Sequence, residues 1–170
     1  MAKTTTMSSY RIGHGYDLHR LQPGGKLVLA GVTVSTEISP IAHSDGDVVI
    51  HAIVDAILGA MGWGDIGELF ANTDPQWRNA ASRVFLESVW TRATGAGMAL
   101  GNLDVTILAE RPRLKAHKPA MVEELAKLLD VKRDQINLKA GTNEGCDAIG
   151  RGEAIAAHAV ILLVKNEMDS

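Results

Sequence analysis

From Ala154 to Lys165 the chain reads AIAAHAVILLVK, and between Ile155 and Val164 only His158 interrupts the apolar side chains. A membrane span needs roughly 18 or more apolar residues, so this run is too short to be one. Its unbroken, partly β-branched character is that of a strand covered on both faces. One cover is supplied by helices. Asp45 to Gly62 places Val48, Ile50, Ala52, Ile53, Ala56, Ile57 and Ala60 in a helical pattern, with Asp47 near its start and glycines at its end. Ala81 to Thr94 and Pro119 to Leu129 read as two further amphipathic helices. Tyr10 to Asp17, KLVLAG and VTVS around Gly31, LDVTILAE and INLKAG read as strands. The economical architecture is α/β of the α+β type: a single sheet with helices on one face. The other face is then covered by neighbouring copies in a symmetric oligomer, or the run lies at the centre of a two-layer monomer. The pattern admits both.

Composition narrows the function classes. With 170 residues and 46% hydrophobic content the chain can build one real core. We expect residues 1–9 to be a polar leader or expression remnant, and 10–167 to be a single domain with no repeat or linker. A formal charge of −3 gives no reason to expect nucleic-acid binding, although a local basic cluster can still hold phosphates. The single cysteine, Cys146, excludes an internal disulfide framework and fits a reducing compartment. Neither a membrane span nor the apolar block of a signal peptide is present, so the expected compartment is cytoplasmic. A targeting segment already removed leaves no trace, which keeps a plastid origin open.

The chemistry starts in GHGYDLHRL, Gly13 to Leu21. On an extended strand Asp17 and His19 leave the same face, so both side chains can grip one ion. A third ligand is available on the helix after SDGD, where His51 lies four residues from both Asp47 and Asp55 and shares a polar stripe with them. One carboxylate and two imidazoles suit catalytic zinc with a fourth position left open, and Asp47 or Asp55 would orient the histidine from behind. Taken singly, an Asp-x-His pair is usually incidental, and a helix histidine is more often a satisfied buried polar group than a ligand.

Other templates fail. Leu18 stands where a dinucleotide fingerprint wants its third glycine, no Walker lysine or His-Glu-x-x-His run occurs, and neither Ser44 nor Ser82 sits in a nucleophile elbow. Two segments remain: the loop GTNEG, Gly141 to Gly145, and the basic run ERPRLKAHK, Glu110 to Lys118. Such runs are usually solvated patches, but beside a divalent cation they suit a substrate carrying several phosphates.

The blocks RIGHGYDLHRL, AHSDGDVVIHAIVDAILGAMGWGDIGELF, NTDPQW, GNLDVTILAERPRL, INLKAGTNE and GRGEAIAAHAVILL stand in one order over nearly all of Tyr10 to Lys165. In that order and at those spacings the sequence resembles the 2-C-methyl-D-erythritol 2,4-cyclodiphosphate synthase family. The resemblance implies a homotrimer with active sites between subunits. Its substrate would be 4-diphosphocytidyl-2-C-methyl-D-erythritol 2-phosphate, whose own 2-phosphate attacks the β-phosphate of the CDP group and expels CMP. A nucleophile that belongs to the substrate accounts for the missing protein nucleophile.

Residue by residue, the resemblance makes Asp17, His19 and His51 ligands of one Zn2+ per subunit, with Leu18 beside them at the substrate. Glu144 matches the carboxylate that helps hold Mg2+ or Mn2+ between the CDP phosphates. His43 and Ser44 match a loop contacting substrate, and His43 and Thr142 match positions that stabilise the transition state. Asp65, Ile66 and Gly67 match the segment around the erythritol unit, followed by Phe70, Ala71, Asn72, Thr73 and Asp74. Ala109, Glu110, Arg111, Pro112, Arg113, Leu114 and Lys115, with Gly141, Thr142, Asn143 and Glu144, match the cytidine and diphosphate pocket, contributed mostly by a neighbouring subunit. Arg151 matches a phosphate-contacting arginine near the trimer axis.

Some positions depart from the family pattern. Ala71 and Asn72 replace a frequent Pro-Asp, Gly141 a common threonine, Ala148 an aromatic at the substrate, and Arg113 a usual lysine. His158 stands where some members carry a glutamate facing a central channel, in which an isoprenoid diphosphate would be the ligand. Two other classes stay compatible with the residues: a zinc phosphohydrolase using the same ligands to activate water, and a trimeric nucleotide-binding protein that has lost catalysis, supported by Ala71, Asn72 and Ala148.

Overall fold

The structure, a computed structural model, describes residues 9–71, 75–77 and 80–166. The expected leader, apart from Ser9, and residue 167 lie outside the described residues. In chain order the elements are β1 (Tyr10–Pro23), β2 (Leu27–Leu29), β3 (Val32–Ser35), β4 (Ile38–Pro40), α1 (Val48–Met61), α2 (Ile66–Leu69), α3 (Ser82–Gly95), β5 (Met98–Leu108), α4 (Lys118–Leu129), β6 (Ile136–Gly141), α5 (Asp147–Gly150) and β7 (Ala154–Lys165), with short 3₁₀ turns at Pro75–Trp77 and Arg133–Gln135.

The apolar run is the middle strand. A five-stranded sheet has the order β4-β1-β7-β5-β6, with β7 antiparallel to both neighbours and β5 parallel to β6. Ile155, Ala157, Ala159, Ile161 and Leu163 face the helices and are wholly buried. KLVLAG and VTVS form a separate two-stranded hairpin, β2-β3, rather than joining this sheet. Its turn at Ala30 and Gly31, both with positive φ, is held by Asp47, whose carboxylate accepts from both backbone N–H groups.

Helix α1 begins where the sequence places its cap. Asp47 is the N-cap, accepting from Val49 N and Ile50 N, and Gly62 closes the helix in the left-handed conformation. The helix is apolar almost all round because it lies under cover, with β1 and β7 on one side and α3 on another. Its approach to β1 explains the glycines around His14. A Cβ on Gly13 would stand 1.7 Å from the carbonyl oxygen of Ala56, and one on Gly15 would stand 1.9 Å from that of Ala52.

Among the described residues the opposite face carries only the short α5, whose Ala148 and Ile149 pack on Ala154 and Ala156 at one end of β7. Tyr10, Ile12, Tyr16 and Leu18 of β1 and Val160 of β7 stand exposed there, Ile12 by 72%. Beside this apolar half, β5 and β6 present a polar half in which Lys139 pairs with Asp104 at 2.6 Å. Among the described residues no helix is long and apolar enough to cross a membrane.

Candidate metal centre and active site

β1 continues beyond Asp17 to Pro23, so Asp17 and His19 occupy one strand and point to its helix-covered face. His51 lies in the first turn of α1, and the close packing at Gly13 and Gly15 brings that turn down onto them. Asp17 Oδ2 is 2.9 Å from His51 Nδ1 and 3.2 Å from His19 Nε2, and the two ring nitrogens are 3.4 Å apart. Ligands placed about 2.0–2.1 Å from a tetrahedral ion are about 3.3 Å from one another, so the donor set fits a divalent metal such as zinc. All three side chains keep some exposure, which leaves a side open for a fourth ligand.

The electrostatics are those of a tightly coupled group. Burial works to raise the Asp17 carboxyl, but the hydrogen bonds and charges of His19 and His51 prevail and hold it well below the usual carboxylate range. Burial works against a charged His51, yet Asp17, followed by Asp47 and Asp45, shifts its ring above the ordinary histidine value.

The partner behind His51 differs from the two the sequence suggested. Neither Asp47 nor Asp55 makes a hydrogen bond with the ring. Asp47 is fully buried and spends its oxygens on four backbone N–H groups, those of Ala30, Gly31, Val49 and Ile50. Asp55 accepts from Ile66 N at 2.8 Å and so ties α2 to α1. His51 Nε2 instead meets Ser82 Oγ at 2.8 Å, with Ser44 Oγ at 3.4 Å. Ser82, 31 residues away at the start of α3, offers no sequence pattern that links it to His51.

Around this centre lie several expected substrate residues. Ser44 adjoins His51, and His43 is exposed on the same loop. Leu18, between Asp17 and His19, points to the open face of the sheet instead. Asp65 caps α2, whose Ile66 and Gly67 follow, and Phe70 meets Trp77 edge-on and packs at a tilt against Phe85, the latter ring 6.2 Å from His51. Ala71 follows; Asn72, Thr73 and Asp74 lie outside the described residues.

A second cluster forms elsewhere. β5 ends at Leu108 and β6 at Gly141, side by side in register, and Ala109 N donates to Gly141 O at 3.0 Å. This joins the segment Ala109, Glu110, Arg111, Pro112, Arg113, Leu114 and Lys115 to Gly141, Thr142, Asn143 and Glu144. Among the described residues no ion pair engages Arg111, Arg113 or Lys115, whereas Arg151 is held by Glu153 through two contacts of 3.0 Å. Glu144 is exposed with Thr142 Oγ1 at 3.4 Å, and Ala148 packs beside Ile149, Ala154 and Ala156. β7 lies between β1 and β5, and β7 and β5 between β1 and β6, so two to three strand spacings, about 10–14 Å, lie between the two clusters.

Comparison with known proteins gives these clusters a common context. The YgbB family profile matches residues 10–164. The 2-C-methyl-D-erythritol 2,4-cyclodiphosphate synthase of Pelobacter propionicus is 51% identical over 154 residues, covering 91% of this chain and 98% of that protein. The chloroplastic enzyme of the same name from Arabidopsis thaliana is 47% identical over 163 residues, covering 96% of this chain and 71% of that one. Among solved structures, IspF of Plasmodium falciparum in complex with CDP superposes with a TM-score of 0.85 at 32% identity, covering 95% of this chain and 100% of that one. The chain belongs to the YgbB family, the family of the 2-C-methyl-D-erythritol 2,4-cyclodiphosphate synthases.

Proposed function

We infer that this protein converts 4-diphosphocytidyl-2-C-methyl-D-erythritol 2-phosphate to 2-C-methyl-D-erythritol 2,4-cyclodiphosphate and CMP. An oxygen of the substrate's 2-phosphate forms a bond to the β-phosphorus of the CDP group, the bond from that phosphorus to the bridging oxygen breaks, and CMP leaves with the electron pair. The observation that carries the reading is the convergence of Asp17, His19 and His51 within a chain that matches this family from end to end of its fold.

Asp17, His19 and His51 would hold one zinc ion, which when bound supplies a Lewis acid and template for the phosphate under attack. Glu144 would hold magnesium or manganese together with the substrate phosphates, since such ions commonly take one or two carboxylates and complete their shell with phosphate and water. Arg111, Arg113 and Lys115 offset the diphosphate charge. His43 and Thr142 donate hydrogen bonds where charge develops, and Phe70 with its aromatic neighbours walls one side of the centre from water.

The reading also takes the protein as one domain over 10–167 that assembles as a homotrimer. Its support is twofold. The Gly141–Glu144 cluster follows a strand three places from the one that carries Asp17 and His19, and the sheet face away from α1 exposes apolar side chains of a kind usually covered. Each site would then take its metal ligands from one subunit and its CDP pocket from the next. His158 would face the central channel, where an isoprenoid diphosphate is the expected ligand. A bacterial cytoplasm or a plastid is the expected compartment, in line with the bacterial and chloroplastic relatives.

Incubating the purified protein with the CDP substrate, zinc and magnesium, and following phosphorus resonances, tests the reaction. The expected products are a cyclic diphosphate and CMP in equal amounts. Inorganic phosphate or a linear diphosphate would show hydrolysis instead, and tight CDP binding without CMP release would show a binding protein.

A further inference from the structure

We propose that Ser82, backed by Asp45, is a positioning residue of the metal centre, holding His51 in the tautomer that turns its Nδ1 lone pair toward the ion Asp17 and His19 would share. The inference rests on the metal reading of that cluster.

The hydrogen-bond inventory leads there. Ser82 is 0% exposed, yet each of its polar groups is engaged. Its backbone N–H donates to Asp45 Oδ2 at 2.9 Å, its hydroxyl bonds to Asp45 Oδ1, and the same Oγ lies 2.8 Å from His51 Nε2. An ionised carboxylate only accepts, so the single hydroxyl proton of Ser82 points to Asp45. Oγ then has only lone pairs to offer His51, and Nε2 must carry the proton. Nδ1 remains as the one ring nitrogen with a lone pair for a metal, and it is the nitrogen 2.9 Å from Asp17. Histidine ligands are commonly fixed by a carboxylate or carbonyl on the far nitrogen; here a serine is inserted between carboxylate and ring.

The same contacts bind three parts of the chain. Ala81, the N-cap of α3, makes no side-chain cap bond, and Asp45 satisfies the helix's first N–H from 37 residues away. Asp45 follows His43 and Ser44, and Ser44 Oγ also lies 3.4 Å from His51 Nε2. Ser82 therefore sets the orientation of a metal ligand and the placement of the adjoining substrate loop together, so a defect there reaches both.

The test is zinc affinity, measured by competition with a chromophoric chelator on wild type, Ser82→Ala, Ser82→Thr and Asp45→Asn. Zinc binding by the wild type establishes the metal reading by itself; its absence overturns that reading and this inference with it. Given wild-type binding, Ser82→Ala is expected to weaken zinc by about 10–100-fold. Asp45→Asn should weaken it less, and Ser82→Thr, which restores a hydroxyl, should recover most of the loss. Nitrogen-15 spectra of the zinc-loaded wild type should show a slowly exchanging His51 Nε2–H, and this signal should be lost in Ser82→Ala. Zinc affinity within twofold of wild type in Ser82→Ala, or His51 bound through Nε2, overturns the proposal. Should Ser82→Ala fail to fold, Asp45→Asn decides by the same two readouts.

Discussion

Gly15 and Ala52 touch so closely that a side chain between them has no room: a Cβ on Gly15 would sit 1.9 Å from the Ala52 carbonyl oxygen. His51 is the neighbour of Ala52, and Asp17 lies two residues beyond Gly15. The spacing between strand and helix therefore sets the spacing of two candidate metal ligands. Gly15→Ala must lift α1 from β1, because the clash is with backbone and no side chain can turn aside. We expect a loss of about 3 kcal/mol or more in chemical denaturation, at the upper end of overpacking costs because backbone must move, and a zinc affinity reduced at least about tenfold. Wild-type affinity in this variant would mean that helix and strand do not fix the ligand spacing.

Asp47 joins the hairpin turn to the start of α1 through four backbone N–H groups. Removing it in Asp47→Ala loses a cap and strands buried donors, so urea denaturation should show a loss of about 3 kcal/mol. Its titration gives a second reading. Burial, opposed by those N–H groups, pushes the carboxyl up to about 6 from 3.8. A raised pKa contributes stability that is complete below 3.8 and lost as pH climbs through about 6. The stability of wild type relative to Asp47→Asn should therefore fall by about 3 kcal/mol between pH 3.5 and pH 7. A flat difference would show that the backbone donors fully compensate the burial.

Zinc should stabilise the protein in a pH-dependent way. Without metal, the raised His51 contributes below 6.5 and loses its contribution as pH rises through its folded value; the lowered Asp17 contributes above 3.8 and loses it on acidification. Zinc requires the unprotonated ring, so its effect runs the other way and grows as His51 loses its proton. At a hundredfold excess over Kd the gain is about 2.7 kcal/mol. Thermal melts should show little zinc effect at pH 5.5 and a large one at pH 8. His51→Ala should abolish the shift at every pH.

Assembly from two inactive variants tests whether sites are shared. His51→Ala removes a candidate metal ligand, and Glu144→Ala alters the proposed nucleotide cluster after the edge strand β6. If each site draws these residues from different subunits, trimers mixed at random restore about a quarter of the sites. Activity that reappears on co-refolding the two pure variants would show this. No recovery would place both clusters in one subunit's service.

Much of this was readable from the chain. The periodicity of 45–62 locates α1 with its cap, the apolar run at 155–164 locates the central strand, and the i,i+2 spacing of Asp17 and His19 fixes a shared face. Other features depend on contacts between distant segments. β4, α2 and α5 are three or four residues long, too short for a periodic signal. Asp47 and Asp55 share a helix stripe with His51, yet both are drawn to backbone donors, which helix spacing cannot reveal. Ser82 reaches His51 only because α3 packs on α1, and no residue near it in sequence announces that role. The GHG triplet is legible in part: strand alternation puts His14 on the face opposite Asp17, where its Nε2 lies 3.1 Å from His158 Nδ1, whereas the contact of its glycines with α1 has no sequence signal.

The pairing of Tyr10 with Val164, and the bond from Lys165 N to Ser9 O, bring the two ends of the described fold to one corner of the sheet. His19, paired with Ile155, lies about 30 Å along the same strand. A tag or fused protein at either end would leave from that corner, far from the reaction, and a tether of a few residues would suffice to splice old ends together and open new ones elsewhere.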